Sequence, residues 1–153
     1  MREIRDKLCE LTKAYDEQLL LYRQIQEVGS GEQELIRDGH LDRLLEVLRK
    51  KEALLTQAGE FEQRIQSLQN QLVVHFDLST FSLPQLRLVA PVYYQEELET
   101  LEAAVSKLLP VLEALENQER DNEACLNKYL VASQGPKTKR AQIGLAGRAY
   151  GKR

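Results

Sequence analysis

An all-α fold of three long helices is the architecture this sequence predicts, and three observations predict it. Leucine and other apolar residues recur at steps of three and four through most of the 153 residues, the spacing that lines one face of a helix. One such run ends at Gly39 and the next begins at Leu41. Glycine just past a helical pattern accepts the left-handed backbone that closes a helix C-terminus. Charged residues make up 29% of the chain and aromatics 6%, with four Pro and no Trp, a balance typical of bundles and coiled coils. So short a connector implies an antiparallel pair. The expected form is an elongated antiparallel helical hairpin or bundle, with a short apolar connector helix and a flexible basic C-terminal tail.

The first helix is expected over about residues 2–38, where Ile4, Leu8, Leu11, Tyr15, Leu19, Tyr22 and Ile25 keep the spacing. Leu20 and Leu21 widen the apolar stripe, as contact with more than one neighbour requires. Gly29-Ser30-Gly31 interrupts it, each glycine costing a helix about 0.5–1 kcal/mol relative to Ala. Continuation into Leu35 and Ile36 is nevertheless expected. The second helix, about 41–76, runs through Leu44, Leu48, Leu55, Ala58, Phe61, Ile65, Leu68, Leu72 and Phe76. At about 1.5 Å per residue it approaches ~50 Å, which favours an elongated arrangement.

Residues 77–91 break the regularity. Ser79, Thr80 and Ser82 are helix-start residues and Pro84 suits a first turn, so a short helix is predicted near 82–89. Leu78, Phe81, Leu83, Leu86, Leu88 and Val89 make this connector apolar enough that it should pack, since exposing them together is costly. The third helix, about 92–134, carries a heptad of Leu98, Leu101, Val105, Leu108, Leu112, Leu115, Glu119, Asn122, Leu126 and Tyr129, the seam of a coiled coil or bundle. Pro110 lies inside it and predicts a kink rather than an end, because the pattern resumes in phase. Glu119 and Asn122 put polar groups on the seam, which reads as the helix running past the core. Gly135-Pro136 closes a helical domain of residues 1–134 and leaves 135–153 as the tail.

The net charge of −3 hides an asymmetry. Six of the 21 bases lie in residues 135–153, which hold no acid, so the first 134 residues carry 15 bases against all 24 acids, a net −9. No apolar run approaches the ~18–20 residues that span a bilayer, and the N-terminus lacks the apolar core of a signal peptide. Cys9 and Cys125 are distant in sequence and read as idle thiols of a reducing compartment. A cytoplasmic protein without stable membrane insertion is expected.

Catalysis needs convergent groups, and the sequence offers few. His40 and His75 are the only histidines, and neither has an acid or second His at metal-binding helical spacing. Glu-x-x-His, Cys-x-x-Cys and His-Glu-x-x-His are absent, and Gly29-Ser30-Gly31 lacks the Lys of a phosphate loop. The Arg and Lys ladder of a helical chorismate mutase does not assemble around one pocket. Neither an enzyme nor a metal or cofactor site is expected. The tail has charge enough to touch phosphates, but the acidic body and lack of a recognition motif argue against a nucleic-acid partner.

Leu-Ile-Arg-Asp-Gly-His-Leu-Asp-Arg-Leu-Leu-Glu-Val-Leu-Arg-Lys-Lys-Glu-Ala-Leu-Leu, residues 35–55, resembles the FlgN-type flagellar export chaperones. Their shared pattern there is helix, Gly-acid turn, leucine, then Lys/Glu-Glu-x-Leu-Leu. Asn122-Glu-Ala-Cys-Leu126 is similar to that family's Asn and paired aliphatics late in the last helix, and Tyr150-Gly151 to its loose tail. FliT-type chaperones share much of this grammar. His40 after the turn glycine, Cys125 for a larger aliphatic, and Pro110 depart from the pattern.

The resemblance implies a non-enzymatic escort. It would bind the C-terminal helical segments of hook–filament junction proteins, prevent premature assembly, and deliver them to the membrane export gate. By analogy the client surface falls on Leu115, Asn122, Leu126, Tyr129 and Leu130. Leu145 and Tyr150 become tail residues for partners, Tyr150 for the gate. The competing reading is a generic helical adaptor or scaffold, dimerised through the third-helix heptad.

Overall fold

Gly39 turns the chain with φ +73°. The His40 amide donates to the Leu35 carbonyl at 2.9 Å and the Gly39 amide to Ile36 at 3.1 Å, closing a helix with the paired bonds of a Schellman end. His40 O then accepts from the Leu44 amide at 3.0 Å, so one helix stops and the next starts within three residues. Asp77, at φ +53°, ends that second helix in the same way, with Leu78 N–H donating to Val73 O at 2.9 Å.

The computed structural model describes residues 2–133, and every element in it is helical. These are α1 (Arg2–Gly29), α2 (Glu32–Arg37), α3 (Leu41–Phe76), α4 (Leu83–Val89), a 3-10 turn (Val92–Tyr94) and α5 (Gln95–Ser133). The three long helices and the short connector helix agree with the fold the sequence predicts. One boundary differs. The expected first helix is cut at Ser30 and Gly31 into α1 and α2; two glycines in three residues weaken the helix there, and Gln118 and Asn122 of α5 satisfy carbonyls freed by the break. The tail, from residue 135, lies outside the described residues.

Ser82 caps α4, its hydroxyl accepting from the Gln85 amide, with Pro84 in the first turn. Helix α5 continues uninterrupted through Pro110, so the proline does not divide it.

The chain forms two compact units. The first comprises residues up to Leu20 with Ala58–Val111. Its core joins Ile4, Leu8, Leu11 and Ala14 of α1 to Ile65, Leu68 and Leu72 of α3, with Leu86, Tyr94, Leu98 and Leu101. Each leucine fully buried there contributes roughly 1.5–3 kcal/mol relative to exposure. Gln69 donates to the Tyr15 hydroxyl at 2.7 Å, and Gln18 to Glu62 at 3.1 Å, so here α1 and α3 run antiparallel. The connector packs through Leu86, Leu78, Phe81 and Leu83. Leu88 and Val89, expected to pack as well, are exposed; in a two-turn helix Leu86 takes the inward position and the next residues face away.

The second unit comprises Leu21–Gln57 with the chain from Leu112. Its apolar cluster is smaller: Ile36 of α2, Leu44 and Leu48 of α3, and Leu126 and Leu130 of α5, with Leu41, Cys125 and Tyr129 at its margin.

Candidate functional site

The part of α5 in the second unit buries Leu115, Glu119, Asn122, Leu126 and Leu130. Their spacing of four, three, four and four makes one inward stripe. Four of the five described candidate residues, Leu115, Asn122, Leu126 and Leu130, therefore lie in the interior, and Tyr129 is half-buried. Leu126 and Leu130 meet Ile36, Leu44 and Leu48. The Tyr129 hydroxyl lies 3.6 Å from where a side chain on Gly39 would begin. The structure thus brings Leu126 and Leu130 of α5 onto the end of α2 and the start of α3, within the segment that carries the family-like sequence. Leu145 and Tyr150 lie outside the described residues.

A polar cluster adjoins this apolar one. Lys51 Nζ donates to Glu32 Oε2 at 2.7 Å, with both side chains fully buried. Asn122 Nδ2 donates to Gly29 O at 3.2 Å, and Gln118 Nε2 to Gln26 O at 2.9 Å. Gln26 and Gly29 stand in the last turn of α1, where carbonyls have no further helical amide to accept from. Two amide side chains four residues apart on α5 therefore cap the C-terminus of α1.

This corrects the expectation that α5 runs past the core at Glu119 and Asn122. Both are buried, and Asn122 is there because the break after Gly29 creates polar backbone that an apolar seam would leave unsatisfied. Burial raises the pKa of Glu32; the charge of Lys51 and hydrogen bonds from Lys51 and Asn122 act in the opposite sense.

Glu32, Lys51 and Gln118 went unselected in the sequence. Lys51 stands in an Arg-Lys-Lys run that reads as solvent-facing. Its signal was phase: Leu44, Leu48, Lys51, Leu55 and Ala58 keep steps of four, three, four and three.

Cys9 is exposed as a residue, yet partial desolvation of its thiol, with Glu97 and Asp6 nearby, raises its pKa, the wrong direction for a reactive thiolate. Among the described residues no group of three or more His, Cys, Asp or Glu is placed to hold a metal. No described helix is long and apolar enough to cross a membrane.

Comparison with known families places the chain. The family model described as FlgN protein matches residues 1–135. The chain belongs to the FlgN family. FlgN proteins are flagellar export chaperones that bind flagellar substrate proteins, not a family known for catalysis. The match spans all five helices of the FlgN-family fold described above. No curated protein and no solved structure matches the chain.

Proposed function

We propose that this FlgN-family chain acts in the cytoplasm as the escort of hook–filament junction proteins. It binds their C-terminal helical segments, prevents premature assembly and presents them at the export gate. The family match over residues 1–135 carries this reading. The client surface is assigned to α5 at Leu115, Asn122, Leu126, Tyr129 and Leu130, with Leu145 and Tyr150 of the tail reserved for partners.

Burial of these side chains sets a condition. A client reaches them only when the end of α5 parts from α2 and the start of α3. The apolar contact to be broken is modest, five buried side chains against eleven in the first unit's core, a size that opens locally, while reaching Asn122 also requires breaking its bond to Gly29 O. An amphipathic client helix then replaces one apolar face with another. The adaptor reading has less support, because Leu98, Leu101, Leu108, Leu115 and Leu126 of the heptad are buried within this one chain.

The test is calorimetric titration of the full chain with synthetic C-terminal segments of junction proteins. A one-to-one complex weakened by Leu126→Asp, with the helical signal retained, is expected. No binding to any such segment overturns the client assignment; binding indifferent to Leu126→Asp overturns the placement on α5.

A further inference from the structure

Helix α2 has six residues, well short of the ~12–15 below which an isolated helix is marginal in water. The helices it packs against, α3 and α5, have 36 and 39 and keep their own backbone bonds without it. Glycines stand at both of its joints. Gly31, at the N-cap, makes no side-chain capping bond, and a side chain there would meet nothing within 4 Å. Gly39 follows with φ +73°. Both joints thus lack the side chain that restricts backbone rotation.

Two residues of α2 are buried, Glu32 and Ile36. Ile36 is clustered with Leu44 and Leu48 of α3 and with Leu126 and Leu130 of α5. Glu32 meets Lys51 at 2.7 Å. That pair makes a weak catch, because the cost of burying two charges offsets most of their attraction, and both regain water when they part together.

We infer that α2 is a lid over the client site, displaced as the client enters. The inference rests on the client reading above and names what governs that site. Lifted at Gly31 and Gly39, α2 leaves a groove walled by Leu44, Leu48, Leu126 and Leu130, which adds two leucines of α3 to the client surface. Asn122 keeps its bond to Gly29 O, since Gly29 precedes the hinge. Ile36 offers the groove an apolar helical face, as a client helix does. Its tether holds it at high effective concentration, so a client has to compete with it, and the four leucines stay covered until one arrives.

The first measurement needs no client: residue-by-residue hydrogen exchange of the full chain at increasing urea. The Leu35 and Asp38 amides donate to Gly31 O and Glu34 O. They should exchange at least about 100-fold faster than the amides of Leu48 and Leu126, at rates that urea barely changes, as a local opening requires. Equal rates and equal urea dependence across α2, α3 and α5 would overturn the lid. The second measurement is calorimetric titration of Ile36→Ser with the same synthetic client segments, circular dichroism confirming the helical signal. Unseating the lid should tighten binding about tenfold, by the share of closed chains it releases, while Leu72→Ala in the first unit's core should not. Unchanged or weaker binding by Ile36→Ser, or equal tightening by Leu72→Ala, would also overturn the proposal. If no segment binds either the unaltered chain or Ile36→Ser, the client reading fails, and the exchange pattern alone decides whether α2 opens.

Discussion

Lys51 Nζ and Glu32 Oε2 stand 2.7 Å apart with both side chains wholly withdrawn from solvent. Glu32 belongs to the short helix after the break and Lys51 to the third turn of α3. The ion pair therefore fixes how α2 folds back on α3, and Asn122 joins α5 to the same point. Burying two charges is costly, and their attraction repays the cost only while both are present.

Lys51→Met should accordingly destabilise the chain by about 3–5 kcal/mol, because Glu32 remains buried without its cation. Adding Glu32→Leu should recover most of that loss. Urea denaturation of the two variants measures both, and a double variant no better than the single one would show that packing, not charge, is at fault.

The pair also has a pH signature. With its pKa raised by burial, Glu32 keeps its proton to a higher pH in the folded chain than in the unfolded one. Its contribution to stability is full below the unfolded value and is lost as pH rises through the folded value. Glu32→Gln does not titrate, so it should flatten the stability–pH curve between the ordinary glutamate range and the raised one. Urea midpoints across that window provide the check, and an unaltered slope would assign the titration to another group.

Two glycines should respond in opposite directions. Gly39→Ala forces a side chain into φ +73° and should cost about 1–2 kcal/mol. Gly59 lies inside α3 with open space where a side chain would begin, so Gly59→Ala should stabilise by about 0.4–1 kcal/mol. Thermal melts of the two single variants report the signs directly.

Connector helix α4 gives an internal contrast. Leu86 is fully buried and its neighbour but one, Leu88, is exposed. Leu86→Ala should cost about 2–5 kcal/mol, whereas Leu88→Ser should stay within roughly 0.5 kcal/mol. Comparable losses at both sites would mean that α4 packs through a different face.

Spacing made the helices, the Gly39 turn and the Ser82-capped connector legible, because each depends on local chemistry that a few neighbouring residues express. The break at Ser30-Gly31 was harder to read. Two glycines weaken a helix without deciding whether it stops; that decision rests on Gln118 and Asn122, about 90 residues away. Lys51 was hidden for a related reason, since its residue type argues for solvent while its phase argues for the interior. The candidate residues on α5 were found by analogy, while the heptad placed Leu115, Asn122, Leu126 and Tyr129 on a bundle seam; what covers that seam was not legible, because the helix starts that do so are distant in sequence.

Salt concentration should therefore act unevenly on this molecule. The Arg87–Glu102 pair ties α4 to α5 and the Arg5–Glu97 pair ties α1 to α5, and both arginines are partly exposed. Dissolved ions screen such contacts, with a Debye length falling from about 10 Å at 0.1 M to about 3 Å at 1 M. The Glu32–Lys51 pair excludes those ions altogether. A rise in ionic strength would loosen the segment around α4 and leave the junction of α2, α3 and α5 as it was, giving one chain both a salt-responsive strap and a salt-indifferent joint.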